Sequence, residues 1–154
     1  MEPQELTQER PESAQASLKQ LFERANAEQA AGRMAEAEAT CCEILARDET
    51  YAAAWHLLAV LAFRAGNPQA AAAHIERAVA LAPARADCRC NRGFILRALD
   101  RNSDAETAFR QAIERDPDMV EAHYQLGNLL RETRRPADAE ASYRRVLEDR
   151  KSVV

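Results

Sequence analysis

Hydrophobic side chains along the chain follow the spacing of amphipathic helices. Around position 55, apolar residues recur three and four positions apart, which places them on one face of a helix. The first such stripe comprises Trp55, Leu58, Ala59 and Ala62, and a second comprises Ala71, Ile75, Ala78 and Val79. Between them stand Gly66, which accepts a left-handed conformation, and Pro68, which suits the first turn of a new helix. The pattern therefore predicts two helices joined by a short turn.

This helix pair recurs with a period of 34 residues, without insertion or deletion. The period divides the chain into four units at 18–51, 52–85, 86–119 and 120–153. Two columns hold only small residues, namely Ala25, Ala59, Gly93 and Gly127, and then Ala37, Ala71, Ala105 and Ala139. A third column holds Cys41, Ile75, Phe109 and Tyr143. Because small side chains let helices approach closely, these columns predict tight packing within each unit.

The recurring residues form a signature. The second unit carries Trp55, Leu58, Ala59, Gly66, Ala71, Ile75, Ala78 and Pro83, and parts of the set return as Gly93, Ala105, Phe109, Ala112, Pro117, Leu126, Gly127, Ala139 and Tyr143. This signature resembles that of the tetratricopeptide repeat family, over residues 18 to about 148. The resemblance implies an all-α fold, a right-handed α-solenoid of four tandem 34-residue helix-turn-helix repeats. Three residues depart from it, because Arg24 and Arg92 replace a leucine and Glu28 replaces an aromatic residue.

Composition supports helix and excludes several classes of protein. Hydrophobic residues make up 47% of the chain, aromatic residues only 5%, and 33 of the 154 residues are alanine. Four glycines and six prolines are too few for an all-β protein with frequent tight turns. The net charge of −4 predicts no bulk attraction to nucleic acid. The abundance of alanine and arginine is typical of GC-rich bacterial genomes.

Nothing in the sequence indicates a membrane or export signal. The longest apolar run, Leu57 to Phe63, is too short to span a bilayer, and the N-terminus is acidic and lacks the hydrophobic stretch of a secretory signal. We therefore expect a cytoplasmic protein.

The sequence offers no motif for catalysis or for a metal. It contains no nucleophile elbow, phosphate loop, dinucleotide-binding glycine pattern or His-Glu-x-x-His motif. The cysteines, Cys41, Cys42, Cys88 and Cys90, fall within helical patterns, with no His or acidic cluster to complete a ligand set. His56 and Cys90 share a column one repeat apart, too far for direct proton transfer. We predict no catalytic residue, no cofactor and no metal.

Binding of a protein or peptide is the function that the resemblance implies. In this family the first helix of each unit lines a concave groove that holds an extended peptide. The inward positions here are Phe22, Asn26, His56, Val60, Phe63, Arg64, Cys90, Asn91, Phe94, Arg97, Tyr124, Gln125, Asn128 and Arg131. Aromatic rings and arginine are the side chains most often found at binding hot spots. We therefore expect a non-catalytic interaction module whose ligand lies in this groove.

Two variants of groove recognition in the family can be compared with this chain. A clamp for a terminal carboxylate would need Lys or Arg where Phe22, Asp87 and Glu121 stand, so that mode is disfavoured. Asn91 lies where the repeat arms of O-GlcNAc transferases carry an asparagine that binds a peptide backbone, and Gln125 is a chemical substitute. The alternative function is therefore the N-terminal substrate-recognition arm of a longer bacterial glycosyltransferase, sulfotransferase or methyltransferase.

The two ends of the chain differ from the repeats. Residues 1–17 are polar and are predicted to form a flexible lead-in. Residues 149–154 match the translation of a common sequencing adaptor, GAT CGG AAG AGC GTC GTG TAG, and are interpreted as a scar, with a genuine polar tail as the alternative. On the scar interpretation the natural protein continues. We expect a monomer, with edge association open to the uncapped last repeat.

The small column at Ala105 gives a first prediction. Ala105→Leu should lower the free energy of unfolding by about 1–3 kcal/mol, because the larger side chain overpacks a close helix crossing. Thermal denaturation followed by circular dichroism measures the change. An unchanged melting midpoint would contradict the placement of this column.

Overall fold

Eight α-helices and no strand make up the part of the chain that the structure describes. The computed structural model describes the backbone of residues 11–152 and the side chains of residues 17–148. The helices are α1 (Pro11–Ala30), α2 (Met34–Arg47), α3 (Ala52–Arg64), α4 (Pro68–Leu81), α5 (Ala86–Ala98), α6 (Asn102–Arg115), α7 (Val120–Glu132) and α8 (Pro136–Ser152). None of these helices is both long and apolar enough to cross a bilayer.

The two ends fall only partly within this description. Of the predicted lead-in, residues 1–10 lie outside the described residues, whereas 11–17 already belong to α1. Of the predicted scar, residues 149–152 continue the backbone of α8, and residues 153–154 lie outside the described range.

The helices pack in consecutive pairs. The most extensive packing joins α1 to α2, α3 to α4, α5 to α6 and α7 to α8, and each pair then packs against the next through α2 and α3, α4 and α5, or α6 and α7. In addition, α3 contacts α5, and α5 contacts α7, so the first helices of successive pairs lie side by side. This arrangement confirms the prediction of an all-α solenoid of helical repeats. The face formed by α3, α5 and α7 is called the inner face below.

Each pair is joined by the same turn. Gly32, Gly66, Asp100 and Arg134 are spaced 34 residues apart, and all four adopt a positive φ between 58° and 79°. In every turn the next residue donates its backbone N–H to the carbonyl five residues earlier, as Asn67 does to Ala62 at 2.9 Å. Gly66 thus has the conformation that the sequence predicts. At Asp100 and Arg134 a side chain occupies the left-handed region that glycine adopts without strain.

Inside each pair, a small residue on the first helix faces a larger one on the second. A Cβ atom at Gly93 would lie 2.5 Å from the ring of Phe109, and one at Gly127 would lie 2.6 Å from the ring of Tyr143. In the first two units, alanine replaces the glycine, and the partner column holds the smaller residues Cys41 and Ile75. The alanine column 37, 71, 105 and 139 is buried throughout, which confirms that it belongs to the core.

The three departures from the family signature form polar contacts between neighbouring helices. Arg24 donates to Thr40 at 3.2 Å and pairs with Glu43 at 2.8 Å, while the Thr40 hydroxyl donates to the buried carboxylate of Glu28 at 2.7 Å. Two of the unusual residues therefore belong to one network that links α1 to α2, and the buried Glu28 is hydrogen-bonded as a buried carboxylate must be. In the third unit, Arg92 pairs with Glu76 of α4 at 2.6 Å.

The contact between Gly93 and Phe109 provides a test of the packing. Gly93→Ala should lower the free energy of unfolding by about 1–3 kcal/mol, because the new methyl group would overlap the Phe109 ring. The better helix propensity of alanine, about 1 kcal/mol, offsets part of this cost.

Phe109→Leu supplies the second arm of a double-mutant cycle. It should destabilise the protein by leaving a cavity, yet the methyl group of Gly93→Ala would fill part of that space. The double variant should therefore lose less stability than the sum of the single variants, as measured by urea denaturation. Strict additivity would show that the two positions are not in contact.

Candidate functional site

A mostly apolar groove lies between α3 and α5 on the inner face. Its lining residues are Val60, Phe63, Asn91, Phe94 and Ile95, and its volume is about 220 Å³. Four of these five were predicted as inward positions, and the structure brings them together across the boundary between the second and third units. Ile95 was missed because its column, shared with Leu61 and Leu129, has the apolar spacing of the core.

The two aromatic rings of the groove have different environments. Phe63 is 36% exposed and stands at the end of α3. Phe94 is half-buried and packs edge-to-face on Phe109 of α6, with ring centroids 5.8 Å apart. Phe94 is thus supported by the core, whereas the fold leaves Phe63 available to a ligand.

A chain of polar side chains borders the groove at Asn91. The guanidinium of Arg85 donates to Asp87 Oδ2 at 2.5 Å and lies 3.2 Å from His56 Nδ1. On the other side of the imidazole, His56 Nε2 lies 2.6 Å from the side-chain amide nitrogen, Nδ2, of Asn91. Arg85 was not among the predicted site residues, because it precedes α5 in a turn and reaches back to α3 of the previous unit.

Burial and the neighbouring charges set the protonation states of His56 and Asp87. Burial lowers the pKa of His56, and Arg85 lowers it further against the opposing effect of Asp87. Burial alone would raise the pKa of Asp87, but the hydrogen bond and charge of Arg85 hold it below its usual value. At neutral pH the site therefore contains a neutral imidazole beside an ion pair.

Three potential metal ligands meet here, which the residue spacing did not predict. The donor atoms of His56, Asp87 and Cys88 all lie within 4.8 Å of one another. The Arg85 guanidinium already contacts the first two, so a positive charge is in place without an ion. Cys88 is buried, and desolvation raises the pKa of its thiol to about 11, which disfavours the thiolate that binds metals. The geometry supports an internal ion pair better than a cation site.

Several predicted groove residues have internal partners instead. Cys90 is buried at 3% exposure, and desolvation raises the pKa of its thiol to about 12. Gln125 is also buried, donates to Glu121 at 2.8 Å and accepts from Arg97 at 3.3 Å. The structure differs here from the expectation that Cys90 and Gln125 face a ligand, because both side chains are buried, whereas Tyr124 in the column of Cys90 is exposed and Asn91 in the column of Gln125 lines the groove.

Arg97 and Asn128 are also engaged within the fold. Arg97 pairs with Glu132 of α7 at 2.5 Å, and Asn128 accepts a hydrogen bond from the Tyr143 hydroxyl at 2.6 Å. Arg97 thus connects the third and fourth units. Tyr124 beside them remains 46% exposed.

The two predicted groove residues of the first unit, Phe22 and Asn26 on α1, make contacts within the fold. Phe22 packs on Tyr51 with ring centroids 5.6 Å apart, and the amide of Asn26 donates to the backbone carbonyl of Phe22 at 3.0 Å.

Arg64 and Arg131, at the ends of α3 and α7, are exposed and have no ion-pair partner among the described residues.

Comparison with solved structures finds the same fold. A crystal structure of MamA shares 21% identity, covers 88% of this chain and 79% of its own, and superposes with a TM-score of 0.81. The first tetratricopeptide repeat domain of Spaghetti (RPAP3), bound to the HSP90 peptide SRMEEVD, shares 22% identity over 75% of this chain and 92% of its own, with a TM-score of 0.72.

A mutant O-GlcNAc transferase from Thermobaculum terrenum is more similar in sequence. It shares 33% identity over 75% of this chain, with a TM-score of 0.72, and this chain spans only 22% of that protein. Among curated protein sequences, none matches the chain significantly.

Two family models match the sequence itself. Both describe the tetratricopeptide repeat, one over residues 52–85 and the other over residues 91–152. Together with the 34-residue period and the four helix pairs, these matches show that the chain belongs to the tetratricopeptide repeat family.

Proposed function

We propose that this chain binds an extended segment of a partner protein in the groove between α3 and α5. Tetratricopeptide repeats form protein-interaction modules and are generally non-catalytic. The observation that carries the proposal is the groove itself, where Phe63 and Phe94 of adjacent units flank a space of about 220 Å³ beside the polar side chain of Asn91. A space of this size and lining suits one apolar side chain of the partner.

Exposure of Phe63 favours a binding role over a structural one. A phenylalanine in the core contributes to stability by burial, but Phe63 keeps 36% of its surface in contact with solvent. Covering that ring with a ligand would remove apolar area from water, which is the source of affinity at most hot spots. Phe94 would form the supported floor of the same contact.

The charges around the groove favour a partner segment that carries an acidic group. Arg85 is paired with Asp87 and Arg97 is paired with Glu132, so these two charges are already neutralised within the fold. Arg64 adjoins Phe63 and is exposed. An acidic residue near the apolar side chain of the partner would complement it.

One comparison favours a second function, that of a substrate-recognition arm in a longer transferase. The match to the O-GlcNAc transferase is the one comparison above with 33% identity, and it covers only part of that protein. Genomic DNA read through and beyond the codon of Glu148 tests this proposal. An open frame that continues into a transferase domain supports it, and a stop codon in frame shortly afterwards contradicts it.

A groove variant and a matched surface variant test the main proposal. Peptides selected by phage display on the wild-type protein serve as ligands, and fluorescence polarisation gives their dissociation constants. Phe63→Ala should weaken binding by about 2 kcal/mol, typical of a hot-spot aromatic residue. Because the ring is 36% exposed, its removal should cost less stability than that of a fully buried phenylalanine, and the variant should stay folded. Phe94 and Arg97 are less suitable for this test, since both make internal contacts.

Leu81 provides the control. It is 40% exposed, close to the value for Phe63, but it lies at the end of α4, outside the inner face. Leu81→Ala should leave the dissociation constants unchanged. If Leu81→Ala weakens binding and Phe63→Ala does not, the partner docks on the outer helices and the groove proposal is wrong.

A further inference from the structure

The polar chain beside the groove has a defined hydrogen-bond direction. It runs from Asp87 through Arg85 and His56 to Asn91, with contacts of 2.5, 3.2 and 2.6 Å. Asp87 accepts, and a guanidinium can only donate, so the first contact has one possible polarity. For the same reason, Arg85 can only donate a hydrogen bond to the imidazole of His56.

His56 can satisfy Arg85 in only one neutral form. Nδ1 faces the Arg85 guanidinium at 3.2 Å and must therefore accept a hydrogen bond. Asp87 Oδ2, the nearest acceptor on that side, is 3.8 Å from Nδ1, too far for a hydrogen bond. A neutral imidazole carries one N–H, so in His56 it lies on Nε2.

We propose that Arg85 holds His56 as the Nε2–H tautomer, and that His56 thereby turns the amide oxygen of Asn91 toward itself and its NH2 group into the groove. In the structure it is Asn91 Nδ2 that lies 2.6 Å from His56 Nε2. With Nε2 protonated, that orientation would set N–H against N–H, so the proposal requires the amide to be flipped by a half-turn about its terminal C–C bond. The oxygen and nitrogen of a side-chain amide are nearly equal in size, so the exchange needs no additional space. Arg85 and His56 are then positioning residues, and Asn91 is the residue that meets the ligand.

This orientation narrows the chemistry of the ligand and rests on the function proposed above. With its oxygen held by His56, Asn91 offers the groove donors only. The partner segment must therefore present a hydrogen-bond acceptor, such as a backbone carbonyl, next to the apolar side chain that lies against Phe63 and Phe94. A donor group at that point would leave two N–H groups opposed and unpaired, which costs binding energy.

The tautomer can be measured in the free protein, independently of any ligand. Nitrogen-15 NMR distinguishes protonated from unprotonated ring nitrogens, and His74→Gln and His123→Gln variants assign the His56 signals. The expected wild-type spectrum has Nε2 protonated and Nδ1 unprotonated. In Arg85→Met, the donor to Nδ1 is lost and Asp87 is released as an acceptor, so the population should shift toward Nδ1–H. A wild-type spectrum with Nδ1 protonated would overturn the proposal.

Binding of a phage-selected peptide tests the consequence for the groove. Arg85→Met should weaken binding about tenfold, the effect of one lost hydrogen bond, whereas Arg85→Lys, which still can only donate, should restore it. Arg89→Met is the matched control, because Arg89 lies on α5, close to Arg85 in sequence, but donates to Pro83 and Gln111. Asn91→Asp, which removes the NH2 group, should weaken binding at least as much as Arg85→Met.

The two proposals fail in different ways. Unchanged affinity in both Arg85→Met and Asn91→Asp would overturn the donor role of Asn91 while leaving the groove itself intact. Unchanged affinity in Phe63→Ala would instead overturn the proposal that the ligand binds in the groove, whatever tautomer the spectrum shows.

Discussion

The close approach of the two helices in each unit is the constraint on which the rest of the structure depends. Gly93 lies directly beneath the ring of Phe109, and Gly127 beneath the ring of Tyr143. Where the second helix carries the smaller Cys41 or Ile75, the first helix carries alanine. A smaller side chain on the second helix is thus compensated by a larger one on the first helix, as a close-packed interior requires. Four units of different composition can therefore stack in one register, and α3, α5 and α7 form a continuous inner face.

The turn between the two helices of a unit has the same conformation in all four units, although its sequence differs between them. Gly32 and Gly66 adopt the left-handed region without strain, yet Asp100 and Arg134 adopt it at the equivalent positions. Each such residue costs of order 1 kcal/mol in backbone energy. Packing of the helix pair on either side must offset this cost. The conformation of the turn is thus determined by the packing of the core, and glycine only lowers its backbone energy.

The sequence predicted the fold because period and side-chain volume are both visible in it. The same columns placed Val60, Phe63, Asn91 and Phe94 on one face, and the structure brings them together in the groove. A column gives the direction of a side chain but not its depth, so Cys90 and Gln125 were assigned to a surface from which they are buried.

The 34-residue period does not predict the side-chain contacts that cross between units. Arg85 lies in a turn and bonds to His56, 29 positions earlier, while Arg97 reaches forward 35 positions to Glu132. Long side chains form contacts according to local geometry and charge, and the positions equivalent to the two partners, His56 and Glu132, hold different residues in the other units. Repetition in the sequence therefore carries no information about them.

The buried columns recur in every unit, whereas the side chains at the contacts between units differ. Specificity for a ligand can therefore arise at the boundaries between units. The pairs that connect successive units include Arg92 with Glu76 and Arg97 with Glu132, and exposed pairs of this kind contribute about 0–1 kcal/mol each. They add little to stability compared with the buried columns. The groove also lies at a unit boundary, with Phe63 from one unit and Phe94 and Asn91 from the next. The core can thus fix the shape of the groove while boundary residues change its hydrogen-bond polarity, because altering Arg85 or His56 leaves the packing of Gly93 against Phe109 untouched.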